Sequence, residues 1–128
     1  MNLLLDSHAF LWLAFDDPRL SPVARAVAVD PANQLHLSVV TIWELAIKIN
    51  KQKITFPDSL QRMIEDGQIE FGLLILPVTM EHAHYTVGLP PHHDDPFDRM
   101  LIAQSHVEGL RLVTKDRRLA DYGVPIVW

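Results

Sequence analysis

Length, composition and charge limit what this chain can be. It has 128 residues, of which 48% are hydrophobic, and this is enough for one domain with a buried core but not for two, so we expect a single domain over residues 1–128. The absence of cysteine excludes a disulfide scaffold, a thiolate zinc site and a cysteine nucleophile, and it fits a cytoplasmic location. No stretch approaches the roughly 20 apolar residues of a membrane span, so no membrane association is expected.

The formal net charge of −5 is unfavourable for binding nucleic acid, because such binding normally depends on a basic surface. Two groups of basic residues soften this objection: Lys48, Lys51 and Lys53, and then Arg111, Lys115, Arg117 and Arg118. Divalent cations would also neutralise part of the acidic charge. Charge alone therefore predicts weak nucleic-acid binding that depends on metal.

The first half of the chain alternates between short apolar runs and helical spacing. The predicted order is a strand at residues 2–5, helices at 6–15 and 22–29, a strand at 34–38 and a helix at 39–51. Ser21 followed by Pro22 is typical of a helix start, since serine caps the free N–H groups and proline suits the first turn.

The second half continues the same alternation. Its predicted elements are a helix after Pro57 that ends at Gly67, a strand at 73–76, a helix at 79–87, a loop at 88–94, a helix at 96–108 ended by Gly109, a strand at 111–114, a helical turn at 117–122 and a strand at 126–128. Alternating strands and helices predict a three-layer α/β/α sandwich with a mostly parallel central sheet.

Four acids, Asp6, Glu44, Asp98 and Asp116, each follow a short apolar run or begin a helix-like segment. Ligands of open parallel sheets gather outside the carboxyl ends of the strands, so acids placed there can converge although they are far apart in sequence. Oxygen ligands without cysteine favour Mg²⁺ or Mn²⁺ over zinc. Such a site would hydrolyse phosphodiester bonds.

Each of these carboxylates also has a local explanation. Asp6 and Asp116 stand where helix N-caps belong, and Asp95 is an equally good cap for the helix that begins at Pro96. Asp98 follows Asp95 by three residues, a position from which a carboxylate commonly reaches back to the cap. Taken individually, Asp98 is better explained as a capping residue than as a ligand.

Glu44 shares a polar stripe of an otherwise apolar helix with Lys48, four residues later, so a pair on a solvated face explains it as well as a site does. Caps and surface pairs are independent of one another, however, whereas a metal site requires all the acids on one edge of the sheet. That shared edge favours the metal site.

His92 and His93 lie in the proline-rich loop beside two aspartates. Imidazoles near carboxylates can bind transition metals, but histidines in such loops are more often solvated. We therefore expect both rings to face solvent.

Four segments carry a family resemblance. They are residues 3–12 (LLLDSHAFLW), 38–48 (SVVTIWELAIK), 95–104 (DPFDRMLIAQ) and 112–116 (LVTKD). In order and spacing they resemble the motifs of PIN-domain ribonucleases, specifically the VapC-type toxins of bacterial toxin–antitoxin pairs.

This resemblance implies that Asp6, Glu44, Asp98 and Asp116 are the catalytic acids, and that Asp6, Asp98 and Asp116 bind the metal. The accessory residues that it implies are Ser7, Asp95 and Thr114. Ser7 stands where the family commonly has threonine, a departure that keeps the hydroxyl. The resemblance also implies the activity of an Mg²⁺- or Mn²⁺-dependent endoribonuclease toxin that acts on RNA. It implies inhibition by a cognate antitoxin whose tail crosses the active-site groove. The assembly that it implies is a homodimer.

The alternative is a non-catalytic α/β binding or signalling module, either receiver-like or a PIN protein with a decayed site. A receiver needs paired acids after its first strand, but Ser7 and His8 follow Asp6 here. A haloacid-dehalogenase-type phosphatase needs an acid at the position of His8. A complete acid set argues against decay.

Overall fold

Five short strands form a single sheet in the computed structural model, which describes residues 1–128. The strands are β1 (Asn2–Leu5), β2 (Gln34–Ser38), β3 (Leu74–Leu76), β4 (Arg111–Val113) and β5 (Ile126–Val127). Their spatial order is β3-β2-β1-β4-β5, and every neighbouring pair is parallel. The predicted mostly parallel sheet is therefore confirmed.

Six α-helices and two short 3-10 helices connect these strands. They are α1 (Ser7–Ala14), α2 (Pro22–Val29), α3 (Val39–Asn50), α4 (Leu60–Phe71), α5 (Met80–Tyr85) and α6 (Pro96–Glu108), with 3-10 helices at Thr86–Gly88 and Arg117–Tyr122. Ser21 caps α2 as predicted, since its hydroxyl accepts the N–H of Ala24. None of the helices is both long and apolar enough to cross a bilayer.

Two apolar clusters cover the two faces of the sheet. Leu3 and Leu5 point into one cluster with Phe10 of α1, while Leu4 points into the other with Ile102 of α6. All three strand leucines are fully buried, as expected where a parallel sheet is covered on both sides. Each such side chain contributes roughly 1.5–3 kcal/mol to stability. This arrangement is the predicted three-layer sandwich.

The predicted end of a helix at Gly67 is wrong. Helix α4 continues to Phe71 and ends at Gly72, whose φ of 65° and N–H bond to the Gly67 carbonyl make it the C-cap. Gly67 is buried, and a Cβ there would lie 3.2 Å from the Leu73 side chain. This glycine allows close packing between the helix and Leu73 rather than stopping the helix, although glycine inside a helix costs about 1 kcal/mol relative to alanine.

The sheet brings the ends of β2, β1 and β4 together at one edge. Leu5 is in register with Leu37 on one side and with Val113 on the other. Asp6 and Asp116 follow β1 and β4 there, as predicted, but Glu44 lies inside α3 and Asp98 in the first turn of α6. Glu44 and Asp98 therefore reach this edge on helices, as the predicted helices at 39–51 and 96–108 imply, and not from the ends of strands.

Candidate metal centre

Asp6 is the first acid of the candidate centre and the N-cap of α1. Its carboxylate accepts the N–H of Ala9 at 2.8 Å, which confirms the predicted cap, and the residue is only 8% exposed. Burial raises the pKa of Asp6, while the side chain of Thr114 and the N–H of Ala9 lower it and the charge of Glu44 raises it further. Asp6 is therefore both a cap and a buried acid whose charge is poorly compensated.

Glu44 interacts both with a lysine and with the other acids. Its Oε2 is 3.3 Å from Nζ of Lys48, so the predicted pair is present, but its side chain is only 13% exposed and the face is not a solvated one. The negative charge of Glu44 raises the pKa values of both Asp6 and Asp98. Glu44 thus belongs electrostatically to the acid cluster as well as to the ion pair.

The surroundings of Asp98 strongly raise the pKa of its side chain. Burial first, and then the charge of Asp95, raise the pKa of Asp98 to about 7, with further increases from Asp6 and Glu44. The expectation that Asp98 reaches back to cap α6 is wrong, because the N–H of Asp95 donates instead to Nδ1 of His93 at 3.1 Å. The Asp98 side chain is left without a capping role.

Asp116 is held by an arginine two residues later. Nη2 of Arg118 is 2.8 Å from Oδ2 of Asp116, and Nε is 2.9 Å from Oδ1. The Arg118 hydrogen bond lowers the pKa of Asp116 to about 2. Asp116 also caps the helical turn Arg117–Tyr122 by accepting the N–H of Arg118, as predicted.

His93 is the residue of the centre that sequence reasoning missed. Its Nε2 lies 3.3 Å from Oδ2 of Asp98 and 3.5 Å from Oδ2 of Asp116, and its side chain is 12% exposed rather than solvated. Its neighbour His92 is exposed as expected and packs edge-on against Tyr122. The one signal available in the sequence was the position of His93 two residues before the DPFD segment.

The tightest group of possible ligands consists of His93, Asp98 and Asp116, whose ligand atoms all lie within 4.8 Å of one another. No group of three or more that includes Asp6 or Glu44 is this close. The structure thus brings two of the four predicted acids into direct proximity, and the other two act on Asp98 through their charge.

The predicted accessory residues occupy three different positions around these acids. Thr114 is fully buried, and its Oγ1 accepts the N–H of Asp116 at 3.0 Å. Ser7 is buried at the start of α1, next to Asp6. Asp95 caps α6 by accepting the N–H groups of Phe97 and Asp98. Thr114 and Asp95 therefore act on the acids through hydrogen bonds or charge.

The donor set fits a divalent cation. Asp6 is buried and Asp98 is half-buried, and the pKa values of both are raised, which is the condition that a bound cation relieves. One turn before Glu44, the hydroxyl of Thr41 is buried without a hydrogen-bond partner. Clustered carboxylates offer the oxygen ligands that hard divalent cations prefer.

Comparison with known proteins places the chain in a family. The profile of the PIN domain matches residues 3–125. Ribonuclease VapC22 of Mycobacterium tuberculosis is 32% identical over 125 residues, which cover 97% of this chain and 94% of that protein.

Solved structures share the fold at low identity. VapBC2 from Rickettsia felis, bound to a DNA fragment from its promoter, has a TM-score of 0.74 at 13% identity, covering 98% of this chain and 97% of that one. DNA-bound VapBC from Salmonella typhimurium has a TM-score of 0.68 at 18% identity, covering 98% and 96%. From the profile match and the similarity to VapC22, the chain belongs to the PIN-domain family.

Proposed function

We propose that this protein is a metal-dependent endoribonuclease of the VapC toxin type, which hydrolyses phosphodiester bonds in RNA. The observation that carries the proposal is the set of acids around Asp98, whose burial and neighbouring negative charges raise its pKa to about 7, an unfavourable arrangement that a bound cation would relieve. The relative VapC22 is named a ribonuclease, and its similarity extends over nearly the whole chain. PIN-family membership excludes the receiver-like alternative.

The ion would be Mg²⁺ or Mn²⁺, held by Asp6, Asp98 and Asp116, with Glu44 completing the acidic set from α3. When bound, the ion supplies an activated water and stabilises charge on the phosphoryl oxygens. Lys48 and Arg118 each contact one of these acids in the present arrangement. With the charge of the acids taken up by a bound cation, these two basic side chains would be free to contact the phosphate of the substrate.

Two aromatic residues beside the acids suit an RNA substrate. Trp43 directly precedes Glu44 and is 62% exposed, and its ring packs edge-on against Phe97, which directly precedes Asp98, with centroids 5.5 Å apart. Exposed aromatic rings stack on unpaired bases, and sequence-specific proteins read RNA mainly where bases are unpaired. We therefore propose single-stranded or looped RNA as the substrate.

A protein inhibitor completes the proposal. Several structural neighbours are VapBC complexes, and by analogy we propose a cognate antitoxin for this chain. Homodimer assembly is proposed from the family resemblance alone. A groove of about 230 Å³ between α1 and α4 offers an apolar surface with an acidic rim; its lining includes Phe10, Phe15, Met63, Phe71, Asp66 and Glu70. An antitoxin segment with apolar and basic side chains would fit this groove, which contains none of the four acids and is separate from the active-site groove that the antitoxin tail is expected to cross.

The purified protein tests the activity directly. We expect it to cut a hairpin RNA with Mg²⁺ or Mn²⁺, to stop on addition of EDTA, and to leave a DNA hairpin of matching sequence intact. Gel-shift titrations on Asp116→Asn, with and without Mn²⁺, measure binding separately from cleavage. Because the net charge is −5, binding should require the metal.

Three results would count against this function. Equal cleavage of the DNA would indicate a different nuclease. Tight binding of RNA without metal, or metal-dependent binding without any cleavage, would indicate a binding protein with a decayed site.

A further inference from the structure

His93 touches both acids of the tight cluster from a position that the predicted acid set does not include. Its Nε2 contacts Oδ2 of Asp98 at 3.3 Å and Oδ2 of Asp116 at 3.5 Å. Both contacts are longer than an ordinary hydrogen bond, as expected when one N–H is shared between two acceptors. The imidazole therefore connects a carboxylate on α6 to a carboxylate that follows β4.

The other ring nitrogen determines what Nε2 can do. The backbone N–H of Asp95 donates to Nδ1 of His93 at 3.1 Å, so Nδ1 presents a lone pair. In a neutral imidazole the proton then resides on Nε2, which makes Nε2 a donor. Nη2 of Arg118 donates to Oδ2 of Asp116 at 2.8 Å and lies 3.5 Å from Nε2 of His93.

The backbone of His93 is fixed from the other side. Its carbonyl accepts a bond from Nη1 of Arg99 at 3.3 Å and another from the hydroxyl of Tyr122 at 3.4 Å. Because both the ring and the carbonyl are held, the position of Nε2 is determined by the fold and not by a free rotamer. A donor fixed in this way can orient the two carboxylates before any ligand arrives.

We propose that His93 is a positioning residue of the metal centre, whose Nε2–H bridges Asp98 and Asp116 and holds the two carboxylates together for a shared divalent cation. The inference rests on the proposed metal-dependent function. It differs from direct ligation, which requires the lone pair of Nε2 and hence a proton on Nδ1, where the Asp95 N–H already donates. Hydrogen bonds to ligating carboxylates orient them, and losing such a partner typically costs about 10- to 100-fold in metal affinity.

The test measures Mn²⁺ binding by calorimetry and by electron paramagnetic resonance on the full chain. His93→Ala should weaken Mn²⁺ binding by about 10- to 100-fold. His93→Gln keeps an N–H donor of similar reach and should restore much of the affinity. His92→Ala is the matched control, because the adjacent ring contacts Tyr122 and no acid, and it should bind Mn²⁺ as the parent does.

The parent protein alone tests whether His93 binds the metal directly. Pulsed electron paramagnetic resonance of the Mn²⁺-bound parent should show no directly coordinated imidazole nitrogen. A clear nitrogen coupling, together with failure of His93→Gln to restore binding, would make His93 a ligand and overturn the positioning role.

The remaining outcomes are equally distinct. Unchanged affinity in His93→Ala would remove any role for the residue, and increased affinity would show that the imidazole competes with the cation. Should the parent bind no Mn²⁺ at all, the proposed function fails together with this inference, whereas normal binding in the parent and in every variant contradicts the inference alone.

Discussion

Asp6 and Thr114 lie side by side where two neighbouring parallel strands end. Leu5 is in register with Val113, and the N–H of Asp6 donates to the Val113 carbonyl at 3.2 Å. The side chain of Thr114 lowers the pKa of Asp6, and its Oγ1 also accepts the N–H of Asp116. One buried hydroxyl therefore joins the first of the four acids to the last, because the register of the sheet places the ends of β1 and β4 side by side.

Replacing Asp98 with asparagine should abolish cleavage while making the metal-free protein more stable. Burial and the neighbouring acids raise the pKa of Asp98 to about 7, so its charged form is unfavourable in the absence of metal. A neutral amide removes that repulsion, and after allowance for solvent screening we expect a gain of roughly 1 kcal/mol near neutral pH. Thermal melts in EDTA measure it.

The matched variants for this prediction are Asp6→Asn and Asp116→Asn. Both residues are N-caps, and asparagine caps helices about as well as aspartate, so these proteins should fold while losing cleavage. If all three variants melt far below the parent, the acids serve mainly as structural residues.

Metal affinity should rise with pH and level off above about pH 7. A cation needs the carboxylate form of Asp98, whose pKa is raised to about 7, so binding at lower pH must release a proton. The dependence is at most about tenfold per pH unit for one proton. Mn²⁺ calorimetry in buffers of different ionisation enthalpy gives the number of protons released. An affinity that is flat from about pH 5.5 to about pH 8 would contradict the raised pKa.

The titration of Asp98 should also affect the stability of the metal-free protein, but in the opposite direction: metal affinity rises with pH, whereas the free energy of unfolding falls. Unfolded Asp98 loses its proton near its usual pKa of about 4 and folded Asp98 only near 7, so between these values the folded state holds more protons. Its contribution therefore lowers the free energy of unfolding as pH rises from about 4 to about 7.

Asp116, whose pKa is lowered to about 2, affects stability in a separate pH range: its stabilising contribution is present above about pH 4 and is lost as pH falls toward 2. Urea unfolding of the parent and of Asp98→Asn across this range separates the two effects.

Much of the fold could be predicted because local signals agreed with the long-range packing. The leucine run before Asp6 and the cap pattern of Ser21 and Pro22 each identify an element without knowledge of its neighbours. The predicted helix end at Gly67 was wrong because a glycine that stops a helix and one that permits close packing look alike in sequence. Only the approach of Leu73 distinguishes them.

The candidate site was less predictable than the fold. The types and order of the acids indicated a metal site, but their distances depend on strand register and on the angles of α3 and α6. The contact of His93 with the acids was not predicted, because a loop has no periodicity from which the direction of a side chain can be inferred. Its contact with Asp98 depends on the N–H of Asp95, which sequence reasoning had assigned to the Asp98 carboxylate.

Glu44→Gln should strongly reduce cleavage, whereas Lys48→Ala should change the free energy of unfolding only slightly. The Glu44–Lys48 pair, at 3.3 Å, has the four-residue spacing of helix surface pairs, which contribute roughly 0.3–0.5 kcal/mol. The charge of Glu44 also acts on Asp6 and Asp98, and the amide of glutamine removes it. Single-turnover cleavage and urea unfolding of both variants compare the two roles. Full cleavage by Glu44→Gln would show that the glutamate serves only as the partner of Lys48.

Arg99→Lys should destabilise the protein by roughly 1–3 kcal/mol and weaken cleavage, although the charge is kept. The guanidinium holds the loop before α6 by donating to the carbonyls of Pro90 and His93 and to the Tyr122 hydroxyl through Nη1, and to the carbonyls of Thr86 and Leu89 through Nη2. Lysine has one nitrogen and cannot reach acceptors on both sides of this fork.

The control for this last change is Arg62→Lys. Arg62 lies on the exposed face of α4, where it is 3.4 Å from Asp66 and both side chains are more than half exposed. A surface pair of this kind contributes little, so the control should stay within about 0.5 kcal/mol of the parent. Because the Arg99 bonds also fix the backbone of His93, Arg99→Lys should lower Mn²⁺ affinity as well, whereas Arg62→Lys should not. Equal unfolding free energies and equal Mn²⁺ affinities for the two variants would show that the loop holds its place without the arginine fork.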